Sequence, residues 1–296
     1  MDFFQSTSNP SQSSSSERSY SEFLSVESES EDPLAQLAKE VDQQPFTTNR
    51  SLRKSLEDRR QALYKDETRD QYFVFTKYCR FSFNSETGIL IVKVMPNPPH
   101  ELAIRSFDLL VSLELHAMNA HLDVWSLGST TVTIGNWRKE ADCCWGPVST
   151  NTRLSFVVEV GLSESARNLA LDARGWLETS SSSVKLVVTI SIKQDGPEII
   201  LRRWELFPGR YGNVTRSSPP SARCTAFLKL SRINNTTSVT GESYMNGTTT
   251  TTTQLDLPFA KIVGRPPHQP LERDLVISDQ KLRQFAEHIW TAQRLL

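Results

Sequence analysis

The chain has 296 residues, 38% of them hydrophobic, and a formal net charge of −1. That is material for one good-sized domain or two small ones with part of the chain unfolded, and near-zero charge excludes a whole-chain electrostatic footprint for nucleic acid. Apolar runs of membrane-span length, Gly-rich phosphate loops and Cys-x-x-Cys or His-x-x-x-His spacings are all absent, which argues against a membrane protein, a nucleotide-cofactor enzyme and a zinc site.

Residues 1–50 are rich in Ser, Glu and Gln and lack apolar periodicity, so a disordered tail is predicted. Met-Asp-Phe-Phe leads into serines without a basic start or an apolar core, so an intracellular setting, nuclear or cytoplasmic, is expected. In a reducing compartment the Asn-x-Ser/Thr sites at Asn213, Asn235 and Asn246 are coincidences. Residues 51–71 read as a charged surface helix or linker whose acids offset its Lys and Arg.

Folded sequence is expected over 72–207. Phe73 to Phe83 and Gly88 to Met95 read as strands with a turn at Asn84 to Gly88. Leu102 to Met118 places Ile104, Phe107, Val111, Leu115 and Met118 on one helical face. Leu122 to Ser126 and Thr130 to Ile134 suggest a hairpin turning at Gly128 and Ser129. Then come a short run led by Asp142, a strand from Leu154 to Glu159, a helix from Ser163 to Leu177 and a strand from Val184 to Ile192. Adjacent Cys143 and Cys144 should point to opposite faces as buried small residues. Glu198 to Leu206 is apolar on both faces in part, which suits an edge or half-covered strand. Residues 208–296 read as a loop-rich extension, with a mobile Thr-rich loop from Asn234 to Thr253, a strand over Leu255 to Val263 and a final helix capped by Ser278. The whole predicts an α/β domain with a mixed central sheet flanked by helices.

The residues that carry chemistry are two acids. Asp142 heads one apolar run and Glu159 ends the next, so neighbouring strands can bring both carboxylates over one hole, the ligand type of a hard cation such as Mg²⁺. Phosphodiester hydrolysis needs charge neutralised on the phosphoryl oxygens and an activated water, and Mg²⁺ supplies both. On spacing alone, structural carboxylates are the commoner reading. Trp137, Arg138 and Lys139 just before the first acid are candidates for stacking or backbone contact with nucleic acid, although such a triplet is common on surfaces. Ser163 reads as a helix cap, since no Cys or His nearby could activate it.

Glu-Ala-Asp before a loop, an apolar strand ending in Glu-Val-Gly-x-Ser-Glu-Ser, a helix reading Leu-x-x-Asp-Ala-x-x-Trp-Leu and then Val-Lys-Leu-Val-Val resemble the PD-(D/E)XK restriction-endonuclease-like superfamily, and within it fungal proteins carrying such a domain. The resemblance spans about residues 85–205. It implies a metal-dependent nuclease fold in which Asp142, Glu159 and the carbonyl of Val160 hold Mg²⁺. Ala141 stands where the motif has proline, and Gly161 stands where it has the lysine that would orient water and stabilise charge. Lys185 is the first candidate to replace that cation and Arg167 the second. Glu101 and Glu114 could add metal contacts, although most helix glutamates are simply solvated. The rival reading is a catalytically inactive copy of the domain that binds nucleic acid or protein, and a third is an interaction protein recruited through its serine-rich tail. Oligomeric state is open.

Overall fold

The computed structural model describes residues 32–40, 54, 58, 79–94, 98–150, 153–162, 164–207, 219–245 and 247–296. Almost all of the expected tail and charged linker, together with Ser163, therefore lies outside the described residues.

An eight-stranded mixed sheet runs β12-β11-β10-β9-β8-β7-β6-β3. Its strands are β3 (Val124–Gly128), β6 (Cys143–Pro147), β7 (Phe156–Leu162), β8 (Leu186–Ile192), β9 (Glu198–Phe207), β10 (Ser221–Ile233), β11 (Thr236–Met245) and β12 (Thr248–Thr251). Only β7 and β8 are parallel, because helix α3 (Ala166–Glu178) carries the chain across between them; every other neighbour is antiparallel. A second, four-stranded antiparallel sheet has the order β2-β1-β5-β4, built from β1 (Cys79–Asn84), β2 (Leu90–Val94), β4 (Thr131–Ile134) and β5 (Trp137–Glu140). Strands β13 (Leu255–Leu257) and β14 (Leu275–Ile277) pair separately. No helix among the described residues is long and apolar enough to cross a membrane.

Two cores lie on the two faces of the large sheet. One joins Phe107 and Val111 of α2 (Pro98–Ala117), Ile262 of the short α4 (Phe259–Val263) and Leu282, Phe285 and Ile289 of α5 (Asp279–Ala292) to Val158, Val188 and Leu228. The other joins Leu171 and Trp176 of α3 and Ile134 of the small sheet to Val157, Val187 and Trp204. Strand alternation makes this division, so Cys143 enters the first core and Cys144 the second, as their adjacency on a strand predicts. Burial pushes the Cys144 thiol up to about 12, which leaves it an inert apolar filler.

Four expectations are corrected. Part of the supposed tail is helix α1 (Pro33–Glu40), capped by Asp32, whose Oδ1 accepts Leu34 N at 3.0 Å. Leu34 and Leu37 are buried in the second core. The hairpin at Gly128 and Ser129 does not form, because β3 pairs with β6 while β4 pairs with β5. Val124 belongs to the first core and Ile134 to the second, so the chain changes sheets there. Strand β9 lies between β8 and β10 rather than at an edge, since the polar residues that suggested solvent are buried and paired; Arg203 Nε is 3.0 Å from Glu205 Oε1 and 2.8 Å from Thr225 Oγ1. Finally, residues 219–296 continue the sheet and close the first core rather than forming a loop-rich extension. Asn234 and Asn235, both at positive φ, make the tight turn that folds β11 back on β10, Val239 buries beneath it, and the threonine run becomes edge strand β12.

Candidate functional site

The acids are brought together by register. Cys143 pairs with Val158 in the antiparallel β6–β7 ladder, so one step further Asp142 stands opposite Glu159, at the end of the ladder. Both are only 1% exposed. Asp142 Oδ2 accepts Val160 N at 2.8 Å, which fixes the first acid to the second strand.

Each acid then meets cations supplied by the protein. His100, in the first turn of α2, places Nε2 3.1 Å from the Val160 carbonyl oxygen and 3.5 Å from Asp142 Oδ2. Arg80 of β1 brings Nε to 3.4 Å from Asp142 Oδ1 and reaches Glu140 and Glu101 at 3.6 and 3.8 Å. Burial lowers the affinity of the imidazole for its proton, but the charge and hydrogen bonding of Asp142, helped by Glu101, outweigh it and lift His100 to about 9. It is therefore an imidazolium at neutral pH. That cation in turn holds Glu101 below the usual carboxylate range, by hydrogen bonding first, against the opposing effect of burial.

Glu159 faces the second core and receives the indole N–H of Trp176. Lys139 of β5, expected at the surface as a nucleic-acid contact, is instead 1% exposed. Its Nζ lies 3.3 Å from Glu159 Oε1, 2.5 Å from Asp172 Oδ1 and 4.9 Å from the Trp176 ring centroid. Trp137 is buried as well, its indole N–H donating to Asp32 Oδ2 at 2.7 Å, whereas Arg138 is exposed.

Of the other candidates, Glu101 shares Arg80 and His100 with Asp142, whereas the structure does not bring Lys185, Arg167 or Glu114 to the acids. Lys185 is exposed just before Leu186, which pairs with Phe156, whereas Glu159 pairs with Thr189. Four residues of strand put the lysine about 13 Å away along the sheet. Arg167 is exposed near the start of α3. Glu114, far along α2 from His100, is bound by Lys281 at 2.6 Å and Arg273 at 3.2 Å and clamps α2 to the carboxy-terminal elements. Ser165 caps α3, accepting Asn168 N at 3.1 Å. At Gly161 a Cβ would lie 2.8 Å from Glu164 Cβ and 3.1 Å from Leu169 Cδ1, so the place of the motif lysine is closed.

Sequence reasoning missed Arg80, His100 and the partnership of Lys139 with Asp172. One signal was available, because Asp172 sits in the stripe formed by Leu169, Ala173 and Trp176, and an acid on a buried helical face requires a cation. For Arg80 and His100 no local signal exists, since each comes from a different element.

The donor set does not fit Mg²⁺. Asp142 and the Val160 carbonyl already serve His100, and Glu159 serves Lys139 and Trp176. A dication 4 Å from any one of these cations would meet a repulsion of about 8 kcal/mol at an effective dielectric of 20. Among the described residues no group of three or more His, Cys, Asp or Glu side chains could hold a metal ion.

Neither a protein-family model nor a curated protein matches the chain. Among solved structures, a match is found to a protein of Anabaena variabilis described as "a putative nuclease belonging to DUF820", at 13% identity over 46% of this chain and 81% of that one, with a TM-score of 0.30, a likeness on which nothing further is built.

Proposed function

We propose that this chain is a restriction-endonuclease-like domain that has exchanged metal-dependent cleavage for binding, with its metal site filled by its own cations. The observation that carries this reading is His100, whose Nε2 lies on the Val160 carbonyl and beside Asp142, two of the three groups through which the resemblance would have Mg²⁺ held. Helix α2, the acid-led strand β6, Glu159 on β7, helix α3 and strand β8 follow one another in the order that resemblance implies. Gly161, closed by Glu164, leaves no room for the motif lysine. Nucleic acid is the first partner to test, through exposed Arg138 and Arg167.

A second reading has one observation in its favour. Lys139 lies beside Glu159 and could supply the missing cation of a working nuclease. Its ammonium is sealed from solvent, however, and bound more closely to Asp172 than to Glu159, so it has no path to a phosphate or a water.

The test is to incubate the protein with supercoiled plasmid and with single-stranded oligonucleotide in Mg²⁺ or Mn²⁺, beside Glu159→Gln, while titrating Mn²⁺ calorimetrically. The expected outcome is no cleavage, no saturable Mn²⁺ site, and oligonucleotide binding that weakens in Arg138→Ala/Arg167→Ala. Metal-dependent nicking by the wild type that disappears in Glu159→Gln would overturn the proposal.

A further inference from the structure

A second cluster of cations gathers at the start of β7 and β8, and it is organised by Ser155. The Ser155 carbonyl accepts Lys185 N at 2.8 Å, and its hydroxyl donates to Ile262 O at 2.6 Å. Ser183 Oγ donates to the neighbouring Leu154 O at 2.7 Å. These bonds bring three separate segments, 153–155, 183–185 and 260–262, around one cavity of about 680 Å³, and each contributes one cation to its lining: Arg153, Lys185 and Lys261. Among the described residues no Asp or Glu lines the cavity. Lys261 reaches out to Glu205 beyond it, but among the described residues Arg153 and Lys185 have no ion-pair partner. Arg153 and Lys185, two cations on one lining without an acid between them, favour an anion there.

The remaining wall has two kinds of surface. Thr133, Thr150 and Ser180 bring hydroxyls, while half-buried Val132 and exposed Ala260 bring apolar area. A volume of this size is that of a small organic molecule rather than a bare ion. A guanidinium, an ammonium and hydroxyl donors satisfy a tetrahedral dianion with several acceptor oxygens better than they satisfy a planar carboxylate.

We propose that this cavity is a binding site for a small phosphate ester of mononucleotide size, its phosphate held by Arg153 and Lys185 and its organic part lying against Val132 and Ala260. The proposal is independent of the reading of the acids, which stand about 13 Å away along the strands. The candidate activator of the sequence is thus placed in an anion site instead.

The experiment titrates full-length protein with adenosine monophosphate, with inorganic phosphate and with adenosine, by calorimetry and thermal shift. The nucleotide should bind and raise the melting temperature, phosphate should compete with it, and adenosine should do neither. Affinity should fall with rising ionic strength. Arg153→Ala/Lys185→Ala, both exposed and outside either core, should weaken nucleotide binding at least about tenfold, the value of one charge-assisted hydrogen bond, without lowering the melting temperature of the free protein. Arg105→Ala, an exposed cation elsewhere, should leave binding unchanged. Absence of binding by both phosphate-bearing probes, or equal affinity in wild type and the Arg153→Ala/Lys185→Ala protein, overturns the site.

Discussion

Lys139 is a buried cation held by two buried carboxylates at once. Its ammonium is removed from water beside two carboxylates and the face of Trp176, so the desolvation cost is offset only while all the partners are present. Lys139→Met should therefore cost about 3–5 kcal/mol in urea denaturation, because Asp172 and Glu159 are left buried beside an apolar chain. Combining it with Asp172→Leu should recover part of that loss, since one of the stranded charges goes too. If Lys139→Met unfolds at the same urea concentration as wild type, the lysine is not neutralising Glu159.

At the scale of elements, α1 is the piece whose attachment is most local. It has a capping Asp32, Pro33 in the first turn and two buried leucines, and it packs on α3 where Gly175 leaves a space. A Cβ at Gly175 would lie 2.5 Å from Leu34 Cδ2. Gly175→Val should therefore push α1 off α3. Because α1 lies outside both sheets, the penalty is capped at its docking free energy, about 1–3 kcal/mol on the scale of overpacking. Hydrogen exchange should show residues 33–40 losing protection while β7 and β8 keep theirs; unchanged protection of α1 would mean that the helix is not held by this contact. The Asp-Pro start followed by Leu34 and Leu37 was readable as a short capped helix within an otherwise polar tail. The Asn234-Asn235 turn was readable too, because both positions tolerate positive φ, but the threonine composition hid it.

On the scale of the whole molecule, the described residues from 79 onward are arranged around one large sheet with a core on each face, and buried acids tie distant segments together. Glu205 joins β9 to β10 and α4 through Thr225 and Lys261, and Glu114 joins α2 to β14 and α5. Burial raises the pKa of both carboxyls, but their hydrogen-bonded cations, with Thr225 at Glu205, more than compensate and leave both below the ordinary value of 4.5. A folded-state pKa below the unfolded one gives stability that is full above about pH 4.5 and is lost as pH falls through the folded value. Thermal melts from pH 7 down to pH 3 should therefore show a steep loss of melting temperature on the acid side. Glu205→Gln should start lower at pH 7 and lose less with acid; a slope identical to wild type would remove Glu205 from this linkage.

By itself, the sequence determined the local elements of the acid-bearing unit. Helix α2, strands β7 and β8, helix α3, the opposed cysteines and the capped final helix follow from periodicity and capping, which act over a few residues. It also placed Asp142 and Glu159 on neighbouring strands. Only the tertiary structure decided what those acids touch. Arg80, His100 and Lys139 reach them from three different elements, and the balance between an ion-binding hole and an internally neutralised one depends on charges a few ångströms apart in space but tens of residues apart along the chain.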